Sequence, residues 1–277
     1  MAKEENMTLF RIEDGVGIIT FNRPHKLNAI SWEQAGEIAD LLREIRFNDD
    51  VRCVLIHGAN GAFSTGGDVD FLSGDSDRPM PGTSDPSRPI PRSQRKYPGG
   101  TYFDVARQLL AVDKPVIAAI EGPAVGAGLA YACACDRRFG DSTVKMSAIF
   151  TNVGLAPDCG MSYFLPKIVG LSNALMMVET AKIFKGEECV KLGLIDEYVE
   201  NGKVFESALA YAKSIACRAS VAVDMARRMI HMSVQGATLE EILDYEFVAG
   251  VVVASSFDAK EGTTAFLQKR KPQYRGI

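Results

Sequence analysis

The chain has 277 residues, 47% of them hydrophobic, which is enough to bury a full core as one large domain or one domain with an appendage. A formal charge of −4 argues against a nucleic-acid binder, which would carry a basic face, and no stretch reaches the length of a membrane span. The opening MAKEENMTLF lacks an apolar signal core, so a soluble cytoplasmic protein is expected.

In chain order, residues 8–13 and 16–21 read as two strands joined by an Asp14-Gly15 hairpin turn. Ser31 with Gln34 has the pattern of a capping box, and Ala35, Ile38, Leu42 and Ile45 recur at helical spacing behind it. Residues 51–56 predict a buried strand, and 58–67 lead into a helix start at 68–72. A helix over 102–112 and a strand over 116–120 continue the alternation expected of an α/β fold. Six cysteines are scattered without zinc-type spacing, and Cys133 and Cys135, in an apolar segment, read as reduced and buried.

The stretch KPVIAAIEGPAVGAGLAYACACD, residues 114–136, organises the rest. A buried strand is stopped at Gly122-Pro123 and followed by Gly126-Ala127-Gly128, where a ligand can approach the backbone closely, and then by a small, apolar helix. Free N–H groups at such a helix start favour negative charge, on a bound anion or on an oxygen that becomes anionic in a reaction. Packing alone also accounts for a Gly-rich strand-to-helix turn.

Five motifs together carry a family resemblance: NRPHKLNAI at 22–30, GAFSTGGDV at 61–69, GPAVGAGLAYACACD at 122–136, GLAPDCG at 154–160 and DAKEGTTAFLQKRKP at 258–272. In order and spacing they resemble the enoyl-CoA hydratase/isomerase, or crotonase, family over nearly the whole chain. The resemblance implies a spiral of repeated ββα units over 1–200, a helical segment over 201–277 that packs in trimers or dimers of trimers, and an acyl-CoA thioester as ligand. No metal and no separate cofactor are implied, since coenzyme A enters as part of the substrate. The family's oxyanion hole falls on the backbone N–H groups of Gly67 and Ala127, where an enolate oxygen would be stabilised without reorganisation. Lys26, Leu27 and Ala29 then line the CoA path, with Gly126 at the close backbone approach. Ser64, Thr65 and Gly66 fall near the adenine end. Asp68 belongs to the same stretch, although a helix-capping role suits it better than ligand contact. Phe266 and Lys269 match positions that reach a neighbouring subunit's ligand, with a solvated lysine as the simpler account.

The departures from the family pattern are informative. Hydratases of the family use two glutamates to activate and protonate water, and those positions here are Ala130 and Phe150. The carboxylate present is Asp158, where the isomerase branch, including the phenylacetate-pathway ring isomerase, keeps its sole acid/base. Ordinary turn or capping chemistry is the alternative for Pro157-Asp158-Cys159-Gly160. A dehalogenase-like hydrolase with an Asp nucleophile needs a His and a Trp near the ring, and none falls between 68 and 230. A catalytically silent CoA-binding protein is the third reading.

Residues 73–100, rich in Pro, Gly, Ser and charge, read as an irregular insert that could act as a lid over the acyl pocket. Beyond Pro166 the chain is expected to be helical over 172–180, 187–192, 205–219, 221–234 and 239–256, with one short strand at 195–199. Thr238 and Glu241 form a second capping box, and the apolar excess at 247–253 fits a subunit interface or core.

Overall fold

The computed structural model describes residues 6–68 and 100–277; the expected helix start after Asp68 and all of the 73–100 insert except Gly100 lie outside them. Strands β1 (Thr8–Glu13) and β2 (Val16–Phe21) form the expected hairpin, with Asp14 and Gly15 both at positive φ and Glu13 opposite Val16. Helix α1 (Trp32–Arg46) follows, burying Ala35, Ile38, Leu42 and Ile45. Only half of its expected capping box is made. The Ser31 hydroxyl accepts the Gln34 N–H at 3.2 Å, but the Gln34 side chain turns inward and donates to the Met7 carbonyl at 2.7 Å.

Next come β3 (Cys53–Gly58), two residues later than expected, then α2 (Gly100–Ala111), β4 (Val116–Ile120), β5 (Pro123–Val125), α3 (Ala127–Ala134), β6 (Arg137–Gly140) and β7 (Lys145–Ser147). Helices α4 (Met161–Val169) and α5 (Leu171–Thr180) lead to β8 (Phe184–Lys185), α6 (Glu187–Lys191) and β9 (Glu197–Tyr198). Four helices end the chain: α7 (Val204–Ala216), α8 (Ser220–Val234), α9 (Leu239–Ala254) and α10 (Phe257–Leu267). Among the described residues no helix is long and apolar enough to cross a membrane.

The main sheet runs β1-β2-β3-β4-β6-β9 and is parallel from β2 onward. A second layer is built from short segments that follow the main strands: Ile30 bridges Gly67, Ser64 bridges Ala124, and β5 pairs with β7. Three main strands give way to a short second-layer piece and then a helix: β2–Ile30–α1, β4–β5–α3 and β6–β7–α4. That repeat is the spiral ββα architecture. Every residue of β4 and of α3 is buried, as their apolar composition requires, and all six cysteines are free.

Helix α4, not anticipated from the sequence, runs through Pro166. Proline in a helix interior removes a hydrogen bond and costs about 3 kcal/mol. Burial of Met161, Leu165 and Val169 on one face of α4 offsets that cost.

Helix α8 has no fully buried residue and borders a cavity of about 510 Å³. It is held by polar contacts. Asp136, at the end of the α3 segment, accepts from the Val116 N–H and from Arg227 Nε, both at 2.7 Å, and pairs with His231 Nε2 at 2.6 Å. Arg227 also donates to the carbonyls of Leu109 and Leu110. Burial pulls the Asp136 carboxyl upward, but His231, Arg227 and the Val116 N–H outweigh it and hold it below the usual carboxylate range. A depressed value makes the carboxylate stabilising above the unfolded-state pKa of about 3.9, and that contribution is lost as pH falls through the native value. Asp136→Asn leaves the Arg227 charge buried without its partner and should destabilise the fold by about 3 kcal/mol at neutral pH. Urea unfolding from pH 7 down to pH 3 checks this: the gap to wild type should narrow toward the acid end.

Candidate active site

The site forms where the stretch after β3 crosses the start of α3. Ser64 donates its N–H to the Pro123 carbonyl at 2.8 Å and accepts from the Val125 N–H at 3.0 Å, so the two chains run side by side. The Ser64 hydroxyl accepts the Gly66 N–H at 3.1 Å and fixes the turn. Gly66 has φ +95°, and a Cβ there would lie 2.8 Å from the Val125 carbonyl and 3.3 Å from the Ala127 nitrogen. One residue earlier in α3's own stretch, Gly126 caps the helix at φ 54°, ψ −123°. Gly128 completes the contact, since its Cβ would meet the Ser64 carbonyl at 2.6 Å. No side chain fits between these backbones.

The bridge to Ile30 uses the Gly66 carbonyl at 2.8 Å and the Asp68 N–H at 2.9 Å and passes over the Gly67 N–H. Ala127 is the first residue of α3, so its N–H has no acceptor within the helix. Among the described residues neither N–H meets a hydrogen-bond acceptor. Two free donors thus lie on adjacent backbone, the arrangement that an oxyanion requires.

Loop 22–30 packs beside them. Leu27 and Asn28 adopt positive φ; Leu27 is exposed, and Ala29 is buried. The Asn28 side chain is used completely, accepting the Arg23 N–H and donating to the carbonyls of Ala59 and Ala62. Asp68 is buried and accepts from Arg23 at 2.8 Å and Lys26 at 3.0 Å, while Arg23 also reaches the Ala29 carbonyl. Asp68 therefore clasps the loop to the Gly67 strand, while the helix start it was expected to cap lies outside the described residues. Ser64 is fully buried and its hydroxyl serves the turn from inside. Thr65 lies against the carbonyls of Lys26 and Leu27, on the same rim. Arg23 and Asn28 were missed. Both stand in the NRPHKLNAI motif, but nothing in one sequence says which of its polar side chains turn inward.

Asp158 sits in the turn before α4. Its carbonyl accepts the Met161 N–H at 2.8 Å, and the N-cap of α4 is Gly160 with no side-chain cap, so the Asp158 carboxylate is not spent on capping. The side chain is partly buried. Burial pushes the carboxyl above its ordinary range, opposed by a hydrogen bond from the Cys159 thiol. Its charge is felt at Tyr131, one turn along α3 from Ala127, which ties the carboxylate to the helix that carries one of the donors. Ala130 and Phe150 are buried in the same core cluster as Tyr131 and Cys159 and offer no titratable group. Phe266, 82% exposed, lies in the last turn of α10 and Lys269 just beyond it; among the described residues neither shares a hydrogen bond with the rest of the site.

Comparison with known proteins gives the family. The chain is 30% identical over 271 residues to 1,2-epoxyphenylacetyl-CoA isomerase of Escherichia coli (strain K12), covering 97% of this chain and 98% of that protein. It is also 30% identical over 268 residues to short-chain-enoyl-CoA hydratase of Clostridium acetobutylicum, covering 97% of each. The crystal structure of enoyl-CoA hydratase from Bacillus anthracis superposes with a TM-score of 0.86 at 26% identity, covering 98% of this chain and all of that one. With the enoyl-CoA hydratase/isomerase family model matching residues 11–276, the chain belongs to that family and has its crotonase-type α/β fold with a helical C-terminal part.

Proposed function

We propose that this protein is an acyl-CoA isomerase that shifts a double bond by moving one proton, with Asp158 as sole acid/base and the N–H groups of Gly67 and Ala127 as oxyanion hole. The observation that carries the reading is the state of Asp158: partly buried, uncapped, raised in pKa and coupled to α3. Isomerisation takes a proton from the carbon next to the thioester and returns it further along the chain, which one carboxylate can do. The dienolate oxygen would meanwhile rest on the two free donors. Lys26, Leu27, Ala29, Thr65, Gly66 and Gly126 surround those donors and would take the CoA portion. Similarity to an isomerase and to a hydratase at equal identity leaves the choice to chemistry. Buried Ala130 and Phe150 cannot activate or protonate water, which favours the isomerase.

Assembly follows from α9, where Leu239, Leu243, Phe247 and Val251 recur every four residues and are all exposed. We assign this stripe to contacts between copies in a trimer or hexamer, in which Phe266 and Lys269 would be presented to a neighbour. Light scattering should give a trimer or larger particle, and Phe247→Glu should shift it toward monomer.

A screen of straight-chain 3-enoyl-CoAs and aromatic-derived CoA thioesters should reveal double-bond migration. Asp158→Asn should lower it by about 10²–10⁴ while leaving acyl-CoA affinity near normal. Retention of activity by that variant would refute the assignment, and hydrolysis of an aryl-CoA without migration would favour an Asp nucleophile. Hydration of crotonyl-CoA should be very slow at any pH. Because the base must be ionised and its pKa is raised, isomerisation should fall as pH drops through a value above the usual 3.9 or so of an aspartate.

A further inference from the structure

The segments that carry the two donors are tied together on both sides of them. Ahead of the donors, Ser64 is hydrogen-bonded to Pro123 and Val125. Beyond them the tie runs through two tyrosines. Tyr131, one turn along α3 from Ala127, is buried and donates its hydroxyl to the Tyr102 carbonyl at 3.0 Å. Tyr102, in the first turn of α2 and also buried, donates its own hydroxyl to the Ile30 carbonyl at 2.6 Å. Ile30 brackets Gly67, since it donates to the Gly66 carbonyl and accepts the Asp68 N–H. A Cβ built on Gly67 would lie 3.9 Å from Tyr102 Oη, so the hydroxyl stands beside the donor residue itself. Trp32 meets the Tyr102 ring edge-on at 5.5 Å between centroids and holds it from the side. Burial pushes both phenols far above their ordinary range, so each keeps the proton it donates.

A tie on one side alone is a hinge: the segments could still splay about Ser64 and carry the N–H groups apart. The close approach of Gly66 to the start of α3 limits how near the backbones can come and does not keep them from separating. Hydroxyl-to-carbonyl bonds do resist separation, and buried ones cannot trade partners with water. Resting on the reading of Gly67 and Ala127 as an oxyanion hole, we propose that Tyr102 and Tyr131 are positioning residues that hold the two donor N–H groups at the spacing one enolate oxygen requires. The links act in series, from α3 to α2 to Ile30, so loss of either hydroxyl opens the whole tie. Slack between the donors costs transition-state stabilisation more than binding, because donors must be in place before the charge develops.

Tyr102→Phe, Tyr131→Phe and the double variant keep the rings and remove the hydroxyls. Each single variant should lower kcat for 3-hexenoyl-CoA isomerisation by about tenfold, less than the loss of about 10²–10³ for a missing donor, with KM within about twofold. The double variant should match the slower single one within about twofold, because links in series are lost once. Infrared spectra of hexanoyl-CoA, isotope-labelled at the thioester carbonyl, give a reading without turnover. The carbonyl stretch should drop on binding to wild type and to Asp158→Asn alike, and the drop should shrink by a similar amount in all three tyrosine variants. Should Tyr131→Phe not fold, Tyr102→Phe tests the tie by itself. If kcat is unchanged in the tyrosine variants, if the drop stays full, or if the losses multiply in the double variant, the positioning role is wrong and the oxyanion hole stands. If wild type shows no drop, the oxyanion hole fails and this role with it.

Discussion

The molecule depends on a backbone contact with no side chain in it. At Gly66 and Gly128 the turn after β3 lies so close to the start of α3 that a Cβ would fall 2.8 Å from the Val125 carbonyl or 2.6 Å from the Ser64 carbonyl. That proximity leaves the N–H groups of Gly67 and Ala127 next to each other without acceptors among the described residues. Ala127 is buried, and an unpaired donor shut away from water costs about 1–3 kcal/mol, so the arrangement must be held by the surroundings. Strand β4 and helix α3, buried at every residue, supply that hold, since neither can shift without opening the core.

The polar parts of the site serve the same end. Asp68, Arg23 and Asn28 are buried and spend their hydrogen bonds on carbonyls, on a neighbouring N–H and on each other's loops. A buried ion pair is weak evidence for stability, because desolvation consumes much of its Coulombic gain. Its effect here is geometric: it fixes loop 22–30 against the strand that ends in Gly67, so that the exposed Leu27 and the partly exposed Lys26 stand at the rim beside the donors.

Elements whose burial alternates or runs unbroken were legible in the sequence. The hairpin, β4 and the buried helix after Gly126 follow from β-branched runs, turn residues and small apolar spacing, which are local properties. What was not legible depends on partners distant in the chain. Gln34 left its capping box for a carbonyl on the segment before β1, and α4, which tolerates Pro166 because one of its faces is buried in the core, was not anticipated. The short strands β6 to β8 were missed because pieces of two to four residues exist only through the strands beside them. At the site, the glycines and Asp158 could be named from motifs. The clasp role of Asp68 could not, since a partner 45 residues away decides it.

The same distinction bears on chemistry. A carboxylate that must take a proton from carbon gains strength from desolvation, but too much burial would leave it neutral and useless as a base. At Asp158 burial raises the carboxyl and the Cys159 thiol opposes it, with the balance upward. Had a glutamate stood at 130 or 150, a second negative charge in that wall would have pushed Asp158 up further, since like charges in one site cannot both ionise easily. Buried Ala130 and Phe150 carry no charge and bring no such repulsion. Replacing the hydratase pair with apolar residues thus does two things in the proposed reaction: it withdraws the groups that would activate water, and it leaves one carboxylate free to both remove and return the proton.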